Sequence, residues 1–391
     1  MNRVTSLSML LLGLIALCST PFHLNAQSLS GTYTINPSLS GSRNFSSFQA
    51  AISSLDKNGI SGPVRIEVSN GTYNGPLIFK PISGASLSNT VTFYSPHADS
   101  VHIRTSSSSS SSYAIKLDSA DHIAFENFRI SKNLNGAAVL FSNKADHNIL
   151  KGCLIEVTSG SAGHSSSGAC ILFSNDARYT YAYTNHGNHN SFVDNTLKGS
   201  GVAVAINGPS GNDRTNGNRL INCDISKSNT AIRALYQDSL EISNCKIHDL
   251  RRYGYGLYVL NTSNVKITNN EVNSGTSHNY LYNLNTYGYN QVAPSEVSNN
   301  IFITKGTYAC YFYRTNYTAI VHNSFSNTGS FALFLRGSTI DVRNNNFYQS
   351  SIGGACLSTD SNSTVVAWDY NNYYAPSGSV ANVNGRTFSS I

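Results

Sequence analysis

One short phrase recurs along this chain and leaves few folds open to it. It reads apolar, variable, Asn, then Asn or Cys, then variable and apolar. Leu240-Glu241-Ile242-Ser243-Asn244-Cys245-Lys246-Ile247 carries one copy, and Leu220-Ile221-Asn222-Cys223-Asp224-Ile225 another. Further copies surround Asn269-Asn270, Asn299-Asn300 and Asn344-Asn345. The position after the first Asn serves as a ruler. It holds Phe128, Cys153, Asn195, Cys223, Cys245, Asn270, Asn300, Asn323, Asn345 and Asn372, at intervals of 25, 42, 28, 22, 25, 30, 23, 22 and 27 residues. Self-similarity at such a period marks a repeat architecture, in which each repeat is one unit of a stack.

A second apolar run follows each copy. Its first inward position holds Ala138, Cys170, Ala203, Ile232, Leu257, Leu281, Cys310, Leu333 and Cys356, so each repeat carries at least two strands on separate sheets. These repeats are too short for propeller blades of about 40 residues, and they lack leucine-rich spacing. They fit turns of a parallel β-helix, where like positions stack ~4.8 Å apart. A buried Asn column is then explicable, because stacked amides satisfy one another along the axis.

The chain before residue 113 prepares this stack. Gly31–Ile35 reads as a strand, and Val64-Arg65-Ile66-Glu67-Val68 alternates strictly before the Asn70-Gly71 turn. Between them, Phe48, Ala51, Ile52 and Leu55 recur at helical spacing, with Ser46 or Ser47 as N-cap and Gly59 as stop. Such an amphipathic helix suits the end cap of a solenoid. The expected layout is a cap with first turns over 27–112, repeats over 113–375 and a C-terminal segment 376–391. The fold class is all-β.

Arg3 followed by the apolar Met9–Leu17 and by Leu24-Asn25-Ala26 reads as a signal peptide over 1–26, so a secreted or cell-surface location is expected. Ile15-Ala16-Leu17-Cys18 is a poor lipoprotein site, since Leu precedes the Cys. The apolar run is too short for a membrane span. Only 12% of residues are charged while 40% are apolar, which excludes a disordered chain. The formal charge of +6, or +5 without Arg3, lacks a basic cluster and speaks against nucleic-acid binding.

The six remaining Cys read as small buried hydrophobes. Cys153 and Cys223, like Cys310 and Cys356, share a column two turns apart, at ~9.6 Å, beyond disulfide reach. Cys223 and Cys245 lie one turn apart, though parallel side chains make the required torsion awkward. His122, His147 and His189 precede the ruler position by a constant offset. Beside Asp121 and Asp146 they form a candidate metal site, against which stands an ordinary Asp-containing turn. Asp224, Lys246 and Glu271 share an outward column as a charge ladder, not as a carboxylate pair.

The candidate binding surface is an outward column on the second apolar run: Arg233, Tyr258, Tyr282, Tyr311 and Phe334, an exposed aromatic stripe ending in a cation. Exposed apolar faces of this extent mark contact sites. Long loops at 157–168, 174–189 (with Arg178 and Tyr181) and 207–218 add to it.

Gly31-Thr32-Tyr33-Thr34-Ile35, Ile60-Ser61-Gly62-Pro63-Val64 and Asn70-Gly71-Thr72-Tyr73, followed by Asn-rich turns, resemble secreted right-handed parallel β-helix proteins of the pectin-lyase-like superfamily. Bacteroidetes-type surface proteins are the nearest in kind. Trp368-Asp369-Tyr370-Asn371-Asn372-Tyr373-Tyr374 is similar to a phrase that closes such helices. Members of that group commonly continue into a sorting domain, and Phe388–Ile391 reads as the start of another element, so a truncated chain is one expectation. The resemblance implies a polysaccharide or surface glycan as partner and leaves oligomeric state open. It also implies an alternative, a polysaccharide lyase or hydrolase acting on an acidic polysaccharide. Elimination needs a base and a cation or calcium at the uronate, for which Arg251, Arg252, Tyr253 and His248 are the candidates. The Asp-Asp, Gly-His-Gly and Arg-x-Lys phrases of polygalacturonase-like hydrolases are absent. A glycan binder without cofactor is therefore the first reading.

Overall fold

A computed structural model describes residues 27–390 except 99, 108, 134, 159–167, 179–183, 185, 200, 211–212, 252–253 and 283–293, together with the side chain of Tyr282. Among the described residues, three long sheets of fourteen, twelve and thirteen strands run side by side. Successive strands of the chain visit the sheets in rotation. One turn places Glu241–Ser243 in the first sheet, Lys246–His248 in the second and Tyr255–Leu260 in the third. The next turn lays Lys266–Thr268, Glu271–Gly275 and His278–Tyr282 in parallel register on them. This is a parallel β-helix, and its first sheet opens with Asn44–Phe45 and Leu29–Ile35 laid parallel ahead of Ile60–Val68. The third sheet ends in an antiparallel pair, Ser379–Val383 with Arg386–Phe388.

The recurring phrase is the corner between the first and second sheets. Its first Asn is left-handed in turn after turn: Asn222 at φ 55°, Asn244 at 55°, Asn269 at 58°, Asn299 at 56° and Asn344 at 56°. Asn tolerates this region far better than most residues because its short amide bonds locally. The second Asn then points into the core. Asn300 donates from Nδ2 to the Ile267 carbonyl at 2.8 Å and to Asn323 Oδ1 at 2.9 Å. Its own Oδ1 accepts the Asn270 backbone N–H and side-chain Nδ2, both at 2.9 Å. Where Cys replaces Asn, the thiol keeps only the donor half. Cys223 Sγ donates to the Phe192 carbonyl at 3.4 Å, and Cys153 Sγ to Phe125 at 3.5 Å. The column ends on Asn371 rather than Asn372, since Asn371 Oδ1 accepts the Asn345 N–H at 2.9 Å. Asn372 instead pairs with Asn346 at the start of the second-sheet strand.

Apolar columns fill the interior beside the amides. Phe302, Phe325, Phe347 and Tyr373 stack at 5.3, 5.1 and 5.1 Å, close to the turn spacing. Helix α1, Phe48–Asn58, closes the N-terminal end of this core with Phe48, Ala51 and Leu55 buried. Ser47 caps it through the Ala50 N–H. Gly59 ends it at φ 61°, where a Cβ would meet the Ser83 carbonyl oxygen at 2.6 Å. All six described Cys are buried and stand as thiols outside any disulfide, Cys223 and Cys245 included. Cys310 and Cys356 do not share a column: Cys310 pairs with Leu333, and Leu333 with Leu357.

Asn300→Ala removes an acceptor for two N–H groups and a donor to two oxygens inside the core. Leaving those groups unpaired is expected to cost about 3 kcal/mol, read as a lower denaturation midpoint. Asn300→Cys keeps the donor half and is expected to fall between wild type and Ala. Equal loss from both variants would show that the amide geometry plays no part.

Candidate functional site

The outward face of the third sheet changes character along its length. In the earlier turns its central column is aliphatic, with Leu140, Leu172 and Ala205 in register. These residues are buried with Ala137, Ala169 and Val202 in a separate apolar cluster outside the main core, against which Ala177 packs. The segment after Phe173 therefore roofs this part of the sheet. Arg178, next to Ala177, is spent on Asp176: its Nε lies 2.8 Å from Oδ2. Tyr181 lies outside the described residues.

In the later turns the same column becomes Arg233, Tyr258, Tyr280, Tyr311 and Phe334. The sequence places Tyr282 here, and the register corrects it to Tyr280. Strand Tyr255–Leu260 spends three residues from Tyr255 to Tyr258 where its partner spends two, from His278 to Tyr280. The surplus falls at Gly256, where a Cβ would strike Asn279 Oδ1 at 2.4 Å. Tyr282 pairs with Leu260 and Tyr313, one column over.

The stripe is also less exposed than the sequence implies. Arg233 is buried, at 3% exposure, and Tyr311 is at 9%. Tyr258, Tyr280 and Phe334 are half-buried. The reason is a second aromatic column beside the first: Tyr255, His278, Tyr308 and Phe331. The two columns interlock. Tyr255 lies 5.0 Å from Tyr280, Tyr308 5.0 Å from Tyr311, and Phe331 5.3 Å from Phe334. The result is a platform two rings wide rather than a single file. Burial and the surrounding tyrosines push Tyr280 up to about 12. Burial likewise lowers His278 below the usual imidazole range. At its edge the Arg314 and Arg336 guanidiniums lie 5.1 and 5.7 Å from the Tyr313 ring centre.

The other candidates are placed elsewhere. His248 ends a second-sheet strand with Nδ1 2.9 Å from Asp249 Oδ2 and Nε2 3.2 Å from Asp224 Oδ1. Asp224, Lys246 and Glu271 do stand in register. Arg251 follows on the turn, its N–H bonded to the Ser228 carbonyl at 2.9 Å. Arg252 and Tyr253 lie outside the described residues. His122, His147 and His189 stack face to face at 5.0 and 4.8 Å. All three are left-handed, at φ 60°, 58° and 54°, as corner residues. Asp121 and Asp146 turn away to accept backbone N–H groups of the next turn, at 2.7 Å each. Among the described residues no three His, Cys, Asp or Glu converge as a metal would need. The column belongs to a second internal ladder that the sequence reading missed: Asn148, Asn190 and Asn218 join one turn to the next through their amides. The His-Asn dipeptide, repeated at 147–148 and 189–190, was its signal.

Among the described residues no helix is long and apolar enough to cross a membrane. A family model described as "Right handed beta helix region" matches residues 210–369. No curated protein matches the sequence. Three solved structures are similar. The PL6 family polysaccharide lyase of Pseudopedobacter saltans is 14% identical with a TM-score of 0.52, over 86% of this chain and 92% of that one. A surface adhesin of Streptococcus pneumoniae is 12% identical with a TM-score of 0.49, over 85% and 88%. The catalytic unit of an alpha-1,3-glucanase of Streptomyces thermodiastaticus is 11% identical with a TM-score of 0.47, over 88% and 70%. At such identities the likeness is one of fold.

The roof contains a titratable core. His186 is fully buried, with Nε2 2.6 Å from Thr184 Oγ1, and burial pushes its pKa down to about 4. An unfolded His takes its proton near 6.5. Between those values the unfolded chain binds more protons, so stability falls as pH drops, by up to about 3 kcal/mol. Melting temperature is expected to fall between pH 7 and 4.5, and His186→Gln to flatten that decline. An unchanged slope in the variant would assign the acid sensitivity to other groups.

Proposed function

We propose that this chain, a right-handed parallel β-helix of the pectin-lyase-like superfamily, is a secreted or surface protein. It binds an extracellular polysaccharide or matrix glycan along the two-ring-wide aromatic face of its third sheet. The single observation that carries this reading is the interlocked platform of Tyr255, Tyr258, Tyr280, Tyr308, Phe331 and Phe334, each partly exposed. Flat rings held rigidly by their neighbours lose little entropy on contact, so apolar sugar faces stack on them at low cost. The signal-like segment 1–26 supports an extracellular setting.

Polysaccharide elimination is the second reading, prompted by the fold shared with a lyase. The platform's electrostatics favour contact over proton abstraction. A tyrosine base needs a pKa brought toward neutrality, whereas Tyr280 stands at about 12 and Tyr311 is also raised, by burial first. The groups with acid–base potential near a carboxylate lie around His248, on the second sheet.

Affinity electrophoresis against a panel of acidic and neutral polysaccharides tests the proposal. Wild type is expected to be retarded by at least one polymer. Tyr258→Ala with Phe334→Ala is expected to weaken that retardation about fivefold or more. His248→Ala is expected to leave it unchanged. Retardation that survives the aromatic double variant sinks the platform reading. Unsaturated products appearing in the ultraviolet would replace binding with lyase activity.

A further inference from the structure

Two arginines stand at the rim of the platform. Arg65, Arg129, Arg178 and Arg343 each hold a carboxylate within ion-pair distance. Arg314 and Arg336 are exposed and, among the described residues, hold none. They come from adjacent turns, joined by the Arg314 N–H to the Arg336 carbonyl at 2.9 Å. Both guanidiniums lean on one ring, that of Tyr313. Arg336 also donates to the Tyr311 hydroxyl.

Position and orientation follow from the backbone. Tyr313 and Arg336 pair in the column next to Tyr311 and Phe334, so the cations adjoin the platform. Arg314 follows at φ 47°, where the chain leaves the sheet. Gly337 sits beside it in the next turn, and its missing side chain leaves room: even an added Cβ would lie 3.7 Å from Arg314 Cγ. Asp360, next in the column, acts on Arg336 through its charge without reaching ion-pair distance. Its Oδ1 accepts from Ser363 at 2.6 Å and from the Gly337 N–H at 2.9 Å. A guanidinium stacked on a ring uses its π face and keeps its in-plane N–H donors for an anion. Two such groups around one ring leave charged donors for an oxyanion.

The geometry points to an oxyanion subsite, formed by Arg314, Arg336 and Tyr313, that selects a polysaccharide carrying carboxylate or sulfate groups. The inference rests on the aromatic platform as a glycan-binding face. It adds the charge class of the polymer and the end of the platform at which its anionic group sits. Sugar rings lie along Tyr280, Tyr308, Tyr311 and Phe334, while one ring substituent turns to the arginines.

Titration with polygalacturonate and alginate, with the carboxyl-reduced form of each, and with dextran sulfate tests this. Wild type is expected to bind the uronates about tenfold tighter than their reduced forms, with a gap that narrows as salt rises. Arg314→Gln with Arg336→Gln is expected to erase the gap while binding to the reduced polymers and the melting temperature stay unchanged. Lysine at both positions should restore part of it. Displacement by dextran sulfate extends the site to sulfate, and its failure restricts the site to carboxylate. Equal affinity for native and reduced polymers, or an unaltered gap in the double Gln variant, overturns the subsite and leaves the platform standing. Absence of wild-type binding to any of these polymers overturns the platform reading and the subsite with it.

Discussion

The strands of this molecule, and the amide column of its interior, find their partners one turn above or below. The backbone N–H and carbonyl groups do so through the parallel ladders, and the stacked Asn side chains follow the same rule. Asn270 reaches Asn300, Asn300 reaches Asn323, and Asn323 reaches Asn345. Such a chain of amides is satisfied only while the register holds, because a slip by one residue turns each amide toward an apolar neighbour. The left-handed residue before each buried amide, Asn269, Asn299, His322 or Asn344, enforces that register by bending the chain at the same place in each turn. Local backbone preference and long-range polar pairing therefore specify one geometry. The ends of the stack are the exception, and α1 covers the apolar end that has no preceding turn.

With the interior bound to repeat, variation is confined to the outward columns and the loops. The third sheet uses that freedom twice. Its early turns carry small aliphatic residues under the roof, and its later turns carry aromatic rings in two interlocked files. The backbone is the same in both halves. The change from Ala205 through Arg233 to Tyr258 in one column marks the boundary. Arg233 is buried there, between aliphatic and aromatic neighbours, rather than presented as an exposed terminus of the stripe. Rigid rings on a rigid sheet are pre-organised for contact.

The corner phrase, the capping helix with Ser47 and Gly59, and the Asp224–Lys246–Glu271 ladder were all legible in the sequence, because each is written in residue types at fixed local spacing. The errors are errors of register. Counting residues outward from Leu281 assumes that Leu257 precedes it in the same column, but Leu281 pairs with Val259, so the aromatic position is Tyr280 rather than Tyr282. Cys356 and Asn372 are single-residue slips in strand pairs that run without a bulge. The length of the connection between strands leaves no trace in apolar alternation. The second amide ladder escaped for a different reason. Its Asn148 and Asn190 follow His147 and His189, weighed as a weak metal candidate against an Asp-containing turn, and the Asn beside them went unread.

A solenoid whose like positions recur at ~4.8 Å imposes a particular kind of surface. A column of side chains becomes a straight row, and two adjacent columns become a strip. Catalysis asks for something else: unlike groups converging on one point, with pKa values driven apart by their surroundings. In this strip like groups sit beside like groups, and burial drives Tyr280 and Tyr311 the same way, upward, with Tyr280 at about 12. Repetition therefore favours a linear, repeating ligand over a single reacting bond. The break in repetition at Tyr313, where Arg336 succeeds an aromatic residue in the column, is where such a strip gains chemical selectivity.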